Sequence, residues 1–313
     1  MSTRELMRRF GVRVTVGVLM TVACDSTADD ARSPATPPAV STGDVHRFLA
    51  ATHGMSPRDS TCVALDSYLR GGSAGLAAYR RKFDVGRPEL CAAIQQRPEQ
   101  YARLALLAPG LDSAVVHIGE IFSRAREIVP GARAPDVYVV VGNGISGGNT
   151  TRGAAPMILI GAELLGDAHD VPATVAHELA HTLQRYPFRG VSSGPRFLQS
   201  TVLYQSLVEG TADLVAELLT GKPRRNEYGE AHEAELWREF QRDMHSRDHD
   251  AWLYNGRSRK DSARPPDLGY WMGYRIAKAY FERSSDKAAA LHQLLTTHDF
   301  DAIVAASGYR GGQ

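Results

Sequence analysis

The stretch VAHELAH, residues 175–181, determines how the rest of the chain is interpreted. His177 and His181 lie four residues apart, so on an α-helix both imidazoles project from one face and can bind one metal ion. Glu178 follows the first histidine and is placed to reach a water on that metal rather than the metal itself. Asp170 as N-cap and Pro172 in the first turn predict a helix over residues 171–186.

A second stretch, SLVEGTADL at residues 206–214, brings two carboxylates onto one helical face. A catalytic zinc needs three protein ligands and one open position, and Glu209 would complete a set with His177 and His181. A metal-bound histidine usually donates its other N–H to a carboxylate, and Asp213 is the candidate for that role. The alternatives are a surface helix with two solvated histidines and a second helix with a solvated acidic face.

These motifs resemble the zincin metallopeptidases of the glutamate-ligand type. A second resemblance rests on the order of segments along the chain: a strand, IGAELLG, the HELAH helix, the EGTAD helix and then GYWMGYRIAKAY. This order resembles the predicted zinc-dependent proteases with HExxH, which include relatives of the gliding-motility lipoproteins. The resemblance covers roughly residues 130–290. It implies a Zn²⁺ ion held by His177, His181 and Glu209, with Asp213 supporting a ligand. It also implies peptide-bond hydrolysis by a water that the zinc activates and that Glu178 deprotonates.

The oxyanion formed during hydrolysis needs a further donor. Tyr270 and Tyr274, in the segment GYWMGY, are candidates because a phenol donates a hydrogen bond without carrying charge. The catalytic prediction names Glu178 and Tyr274. The alternative is that both tyrosines belong to an aromatic face of the core.

Apolar residues at helical spacing predict helices from Asp44 to about residue 130. The segments DVYVVV, residues 136–141, and PMILI, residues 156–160, predict two strands with a hairpin-like connection. The predicted fold is therefore α+β and mostly α-helical, a zincin-like domain over 44–313 with a helical part, 44–130, and a catalytic part, 131–313. In zincins the strand before the metal helix forms the sheet edge that an extended substrate joins, and MILIGAELLGD stands in that position.

The connection between the strands contains a glycine-rich pattern. Gly142, Gly144 and Gly147 form a literal G-x-G-x-x-G after a strand. A dinucleotide-binding fold needs a helix to begin at once, whereas the residues that follow, GNTTRGAAP, break helices. The pattern therefore favours a β connection over a nucleotide site.

The N-terminus has the pattern of an export signal. Four arginines precede a short apolar run, Val14–Ala23, which predicts a signal peptide over residues 1–23. Small residues before Cys24 resemble a bacterial lipobox, with Thr21 where leucine is usual. We expect Cys24 to be lipidated, residues 24–43 to be a flexible tether, and the protein to be anchored to a membrane of the bacterial envelope. Simple cleavage to a secreted or periplasmic protein, or retention of the segment as an anchor, is the alternative.

Composition restricts the partners. The 313 residues include 36 basic and 35 acidic side chains, so there is no electrostatic case for nucleic acid and we expect a peptide or protein substrate. Cys62 and Cys91 could form a disulfide in an oxidising compartment or remain two separate buried thiols. Two competing functions share the motifs: a non-enzymatic envelope lipoprotein that uses the scaffold for binding or assembly, and hydrolysis of a non-peptide amide.

Overall fold

The computed structural model of the chain describes residues 38–56, 58–151, 153, 155–186, 199–256 and 264–312. The predicted signal peptide, Cys24 and the first part of the predicted tether lie outside these residues. The end of the predicted tether is wrong, because Val40–Ser41 forms strand β1 and helix α1 begins at Gly43. Within the described residues the fold is α+β and mostly helical, as the sequence predicts.

Helices fill the chain between residues 43 and 128. Apolar side chains at helical spacing, such as Leu104, Leu111 and Ile118, are completely buried and form the core of this part. The helices are α1 (Gly43–Thr52), α2 (Leu65–Arg70), α3 (Ala74–Phe83), α4 (Arg87–Gln96), α5 (Pro98–Ala102), α6 (Leu104–Ala114) and α7 (Ile118–Ile128).

A disulfide joins Cys62, in the loop before α2, to Cys91 in α4. The structure thus decides between the two states that the sequence left open for these cysteines. The bond closes a loop with a sequence separation of 29 residues. In the chain-entropy model, closing a loop of this size stabilises a fold by about 3 to 4 kcal/mol.

The run Leu104–Ile128 is long and apolar enough to cross a membrane, by length and composition alone. It consists of α6, a 3-10 turn at Val115–His117 and α7. Core helices of soluble proteins pass the same test. Here Ile118, Ile121 and Phe122 of α7 are buried in the hydrophobic core, so we interpret the run as part of that core.

Four strands form the sheet in the described residues, in the order β1, β2 (Asp136–Val140), β4 (Met157–Gly161), β3 (Gly148–Thr150). Strands β2 and β4 are parallel, so the predicted hairpin between them is wrong. The hairpin partner of β4 is the short β3, which lies antiparallel to it. Because β4 is paired on both sides, the edge nearest the HELAH helix is β3 and not the predicted MILIGAELLGD segment.

The glycine-rich loop after β2 folds around a carboxylate of the protein itself. Glu163 is completely buried, and its two side-chain oxygens accept hydrogen bonds from the backbone N–H of Gly142 at 3.0 Å and of Gly144 at 2.9 Å. Burial raises the pKa of Glu163, while these N–H groups oppose the shift. The backbone donors that a phosphate-binding loop would offer to a ligand are therefore occupied, in agreement with the β connection.

Helices also form most of the C-terminal part. The HELAH segment and the EGTAD segment each lie on a helix, and the HELAH helix ends close to its predicted end at residue 186. The helices are α8 (Val171–Leu183), α9 (Val202–Thr220), α10 (Glu227–Ala231), α11 (Glu233–Asp243), α12 (Leu268–Arg283), α13 (Lys287–Thr296) and α14 (Phe300–Ser307).

Two glycines let α9 and α12 touch backbone to backbone. A Cβ atom on Gly273 would lie 1.7 Å from the Ser206 carbonyl oxygen, and one on Gly210 would lie 2.0 Å from the Gly273 carbonyl carbon. Gly210 directly follows Glu209, so this contact sets the distance between the proposed metal ligand and the aromatic residues of α12.

We predict that Gly273→Ala destabilises the fold by about 3 kcal/mol, because the new methyl group meets backbone that must move. The matched control is Gly119→Ala in α7, where a Cβ meets nothing within 4 Å. The control should be neutral or more stable by roughly 0.5 to 1 kcal/mol, the difference in helix propensity. Urea unfolding of both variants measures this. Equal stability of Gly273→Ala and wild type would show that the helices are not held by this contact.

Candidate metal centre

The site forms where α8 and α9 cross in opposite directions. Residues 177 and 184 of the α8 segment contact residues 213 and 208 of α9, respectively. On α8, the residues Val175, Ala176, Leu179 and Ala180 are buried in the core. The histidine face is thereby directed at the Glu209 face of α9. The structure thus brings together the residues that the sequence selected.

The three predicted ligand atoms form a nearly equilateral triangle. His177 Nε2 lies 3.1 Å from His181 Nε2 and 3.2 Å from Glu209 Oε2. His181 Nε2 lies 3.3 Å from Glu209 Oε2. In a tetrahedral zinc site with bonds of about 2.0–2.1 Å, ligand atoms are about 3.3 Å apart. The donor set and its spacing therefore fit one Zn²⁺ ion with a fourth position open.

The partners of the other ring nitrogens fix the histidine tautomers. His177 Nδ1 donates to Asp213 Oδ1 at 2.8 Å. His181 Nδ1 lies 2.8 Å from Gln184 Oε1, while the amide nitrogen of Gln184 donates to the Val208 carbonyl at 2.7 Å. Because the amide nitrogen is engaged, the amide oxygen must accept, and His181 Nδ1 carries a proton. In the neutral imidazoles, both Nε2 atoms then direct lone pairs at the centre of the triangle, as metal binding requires.

The electrostatics of the site favour positive charge at this point. Burial alone lowers the pKa of His177, but the carboxylates of Asp213 and Glu209 overcome it and raise the pKa to about 10. The pKa of His181 is also raised, with burial opposed by Glu209. Burial would raise the pKa of Glu209, but the two imidazoles lower it well below its usual range. The cluster therefore holds bound protons unless a cation replaces them.

A cleft of about 890 Å³ opens over the triangle. The cleft is lined by strand β3 and by Arg224, Tyr254 and Tyr270. Glu178 also lines the cleft, and its side chain is almost completely buried. A carboxylate beside the ligands but outside the triangle can accept a proton from a water in the cleft.

Sequence reasoning missed two residues that hold the site from the loops. The Tyr254 hydroxyl donates to Glu209 Oε1 at 2.8 Å, which leaves Oε2 for the metal. Arg224 NH1 lies 2.9 Å from Asp213 Oδ2, and its guanidinium stands 5.6 Å from the centre of the Tyr270 ring. No local spacing relates these residues to the motifs. Gln184, three residues after His181, could have been found from helical spacing.

The structure separates the two candidate tyrosines. Tyr270 lines the cleft, with its ring stacked on His177 at 6.3 Å between centroids. Tyr274 is not among the residues that line the cleft, so the geometry does not support its predicted catalytic role. It lies one turn farther along α12, beside Glu217 rather than Glu209, and its hydroxyl donates to Glu217 Oε2 at 2.6 Å.

Comparison with known proteins gives one family. The family model described as "Predicted Zn-dependent protease (DUF2268)" matches residues 116–298, more than half of the chain. The matched range includes α8, α9 and the cleft-lining part of α12. No curated protein and no solved structure matches the chain.

We predict that Tyr254→Phe lowers zinc affinity by about tenfold or more, because Glu209 loses the hydroxyl that orients it. Tyr274→Phe is the matched control, since it removes a buried hydroxyl from the same core without touching a ligand. It should leave zinc affinity unchanged. Competition titration with a chromogenic chelator measures the zinc affinity of both variants. Equal affinities would show that Tyr254 does not orient Glu209 for metal binding.

Proposed function

The chain belongs to the predicted Zn-dependent protease family (DUF2268), and we propose that it is a zinc metallopeptidase that hydrolyses peptide bonds. One observation carries the proposal. The ligand triangle of His177, His181 and Glu209 opens into the cleft that Glu178 also lines. A purely structural zinc site is closed and needs no carboxylate beside it.

Each side chain has a role in this proposal. His177, His181 and Glu209 hold the ion, while Asp213 and Gln184 keep the imidazoles in the metal-binding tautomer. Bound zinc supplies Lewis acidity, which polarises a carbonyl and makes water a better nucleophile at neutral pH. Glu178 takes the proton of the attacking water and delivers it to the leaving amine.

Strand β3 supports a peptide substrate rather than another amide. Gly161 N–H donates to the Gly147 carbonyl at 3.0 Å, and Thr151 N–H donates to the Met157 carbonyl at 2.9 Å. In an antiparallel strand, the backbone N–H and C=O groups of every second residue point toward the partner strand. Because Gly147 and Thr151 bond to β4, the N–H and C=O groups of Gly148 and Thr150 point away from it. An extended peptide in the cleft could pair with this edge and lie across the ligand triangle.

Tyr270 is the tyrosine that the proposal retains as an oxyanion donor. Burial, followed by the charge of Glu209, raises its pKa well above the usual value. The phenol therefore stays protonated at neutral pH and can donate without adding charge to the cleft.

We also propose that the protein is exported and lipid-anchored through Cys24 to a bacterial envelope membrane. The support comes from the N-terminal sequence pattern and from the disulfide between Cys62 and Cys91, a bond that is typical of oxidising compartments. Intact mass and fractionation of wild type and Cys24→Ser test this. A wild-type chain that is soluble and carries no acyl mass would contradict the anchor.

We predict that Glu178→Gln lowers the rate of hydrolysis of an unstructured protein such as casein by roughly 10²- to 10⁴-fold, because an amide cannot accept the proton. Zinc content should stay at the wild-type value, since Glu178 is not a ligand. Glu120→Gln is the control, because Glu120 is exposed on α7 and should leave the rate unchanged.

Chelator treatment of the wild type should also stop hydrolysis, and added zinc should restore it. Wild-type protein that holds zinc but never cleaves casein, or a fully active Glu178→Gln variant, would contradict the proposed function.

A further inference from the structure

The side chain of Glu178 has a hydrogen-bond partner on the edge strand. Thr150 Oγ1 lies 2.8 Å from Glu178 Oε2 and 3.0 Å from the backbone carbonyl oxygen of Glu178. Thr150 belongs to β3, which is far from α8 in the sequence but packs directly against it. Within the described part of the chain this hydroxyl is the hydrogen-bond donor to the carboxylate.

The same strand makes room for the carboxylate. A Cβ atom on Gly148 would lie 2.6 Å from Glu178 Oε1 and 2.9 Å from a methyl carbon of Thr174. Any side chain at this position would push Glu178 away from its present place. Glycine at 148 and threonine at 150 therefore act on the two oxygens of one carboxylate, the first by leaving space and the second by donating.

We propose that Thr150 is a positioning residue for Glu178, an inference that rests on the proposed function. Its hydroxyl anchors Oε2, which leaves Oε1 to face the reacting water. The contact serves both steps of the proposed role, because Oε1 takes the proton of the water and later releases it, while Oε2 accepts the hydrogen bond from Thr150 throughout.

Two substitutions at position 150 separate chemistry from packing. Thr150→Val keeps the branched shape that suits a strand but removes the hydroxyl, and Thr150→Ser keeps the hydroxyl but loses the methyl group. We expect kcat of Thr150→Val to fall roughly 10- to 100-fold, the value of one hydrogen bond to a charged group. KM and zinc content should not change, and Thr150→Ser should keep kcat within about threefold of wild type. A merely structural role gives the opposite order, with serine worse than valine, and would overturn the proposal.

A second measurement does not depend on catalysis. A double-mutant cycle of Thr150→Val and Glu178→Ala, read by urea unfolding of the full mature chain, reports whether the two side chains interact. We expect the unfolding equilibrium constant to show at least a fivefold coupling. Additive effects would mean that the hydroxyl donates only to the helix carbonyl, and would overturn the proposal. Coupling in a chain that never cleaves casein would leave the hydrogen bond standing and remove the proposed function instead.

Discussion

Anionic charge buried between α8 and α9 is the constraint on which this structure depends. Glu209 and Asp213 each lie within 3.2 Å of an imidazole, with most of both side chains removed from water. Ionised carboxylates in such a place cost several kcal/mol unless positive charge compensates them. Arg224 compensates Asp213, but no arginine or lysine in the described residues forms an ion pair with Glu209. A divalent cation at the centre of the ligand triangle is the compensation that the donor atoms and their spacing fit.

The surroundings of the triangle follow from the same requirement. A metal ligand must keep one orientation, and each ligand has a partner that fixes it: Asp213 for His177, Gln184 for His181 and Tyr254 for Glu209. The backbone contact at Gly210 and Gly273 holds α9 against α12, and the loop before α12 carries Tyr254. Strand β3 closes the other side through Gly148 and Thr150. The geometry of three atoms is thus supported by a helix pair, a loop and a strand.

The sequence predicts the parts of the site that rest on local spacing. His177 and His181 fall on one helical face, and so do Glu209 and Asp213, because a helix repeats every 3.6 residues. That the two helices pack against each other had to be inferred from the ligands that a zinc ion needs. The hairpin-like connection between the two predicted strands was wrong, because pairing between β2 and β4 depends on contacts across the fold rather than on neighbours in the chain. Tyr254, Arg224 and Thr150 had no signal for the same reason. Tyr274 was chosen by chemistry alone, and one helical turn placed it beside Glu217 instead of the cleft.

Anomalous diffraction at the zinc edge, from crystals of the purified chain, tests the central claim most directly. The account predicts one anomalous peak at about 2.0–2.2 Å from His177 Nε2, His181 Nε2 and a Glu209 oxygen, with the fourth position open to the cleft. Such a peak would also keep Asp213 and Gln184 outside the ligand set. No peak between α8 and α9 in zinc-supplemented crystals, or a zinc closed by a fourth protein ligand, would contradict it.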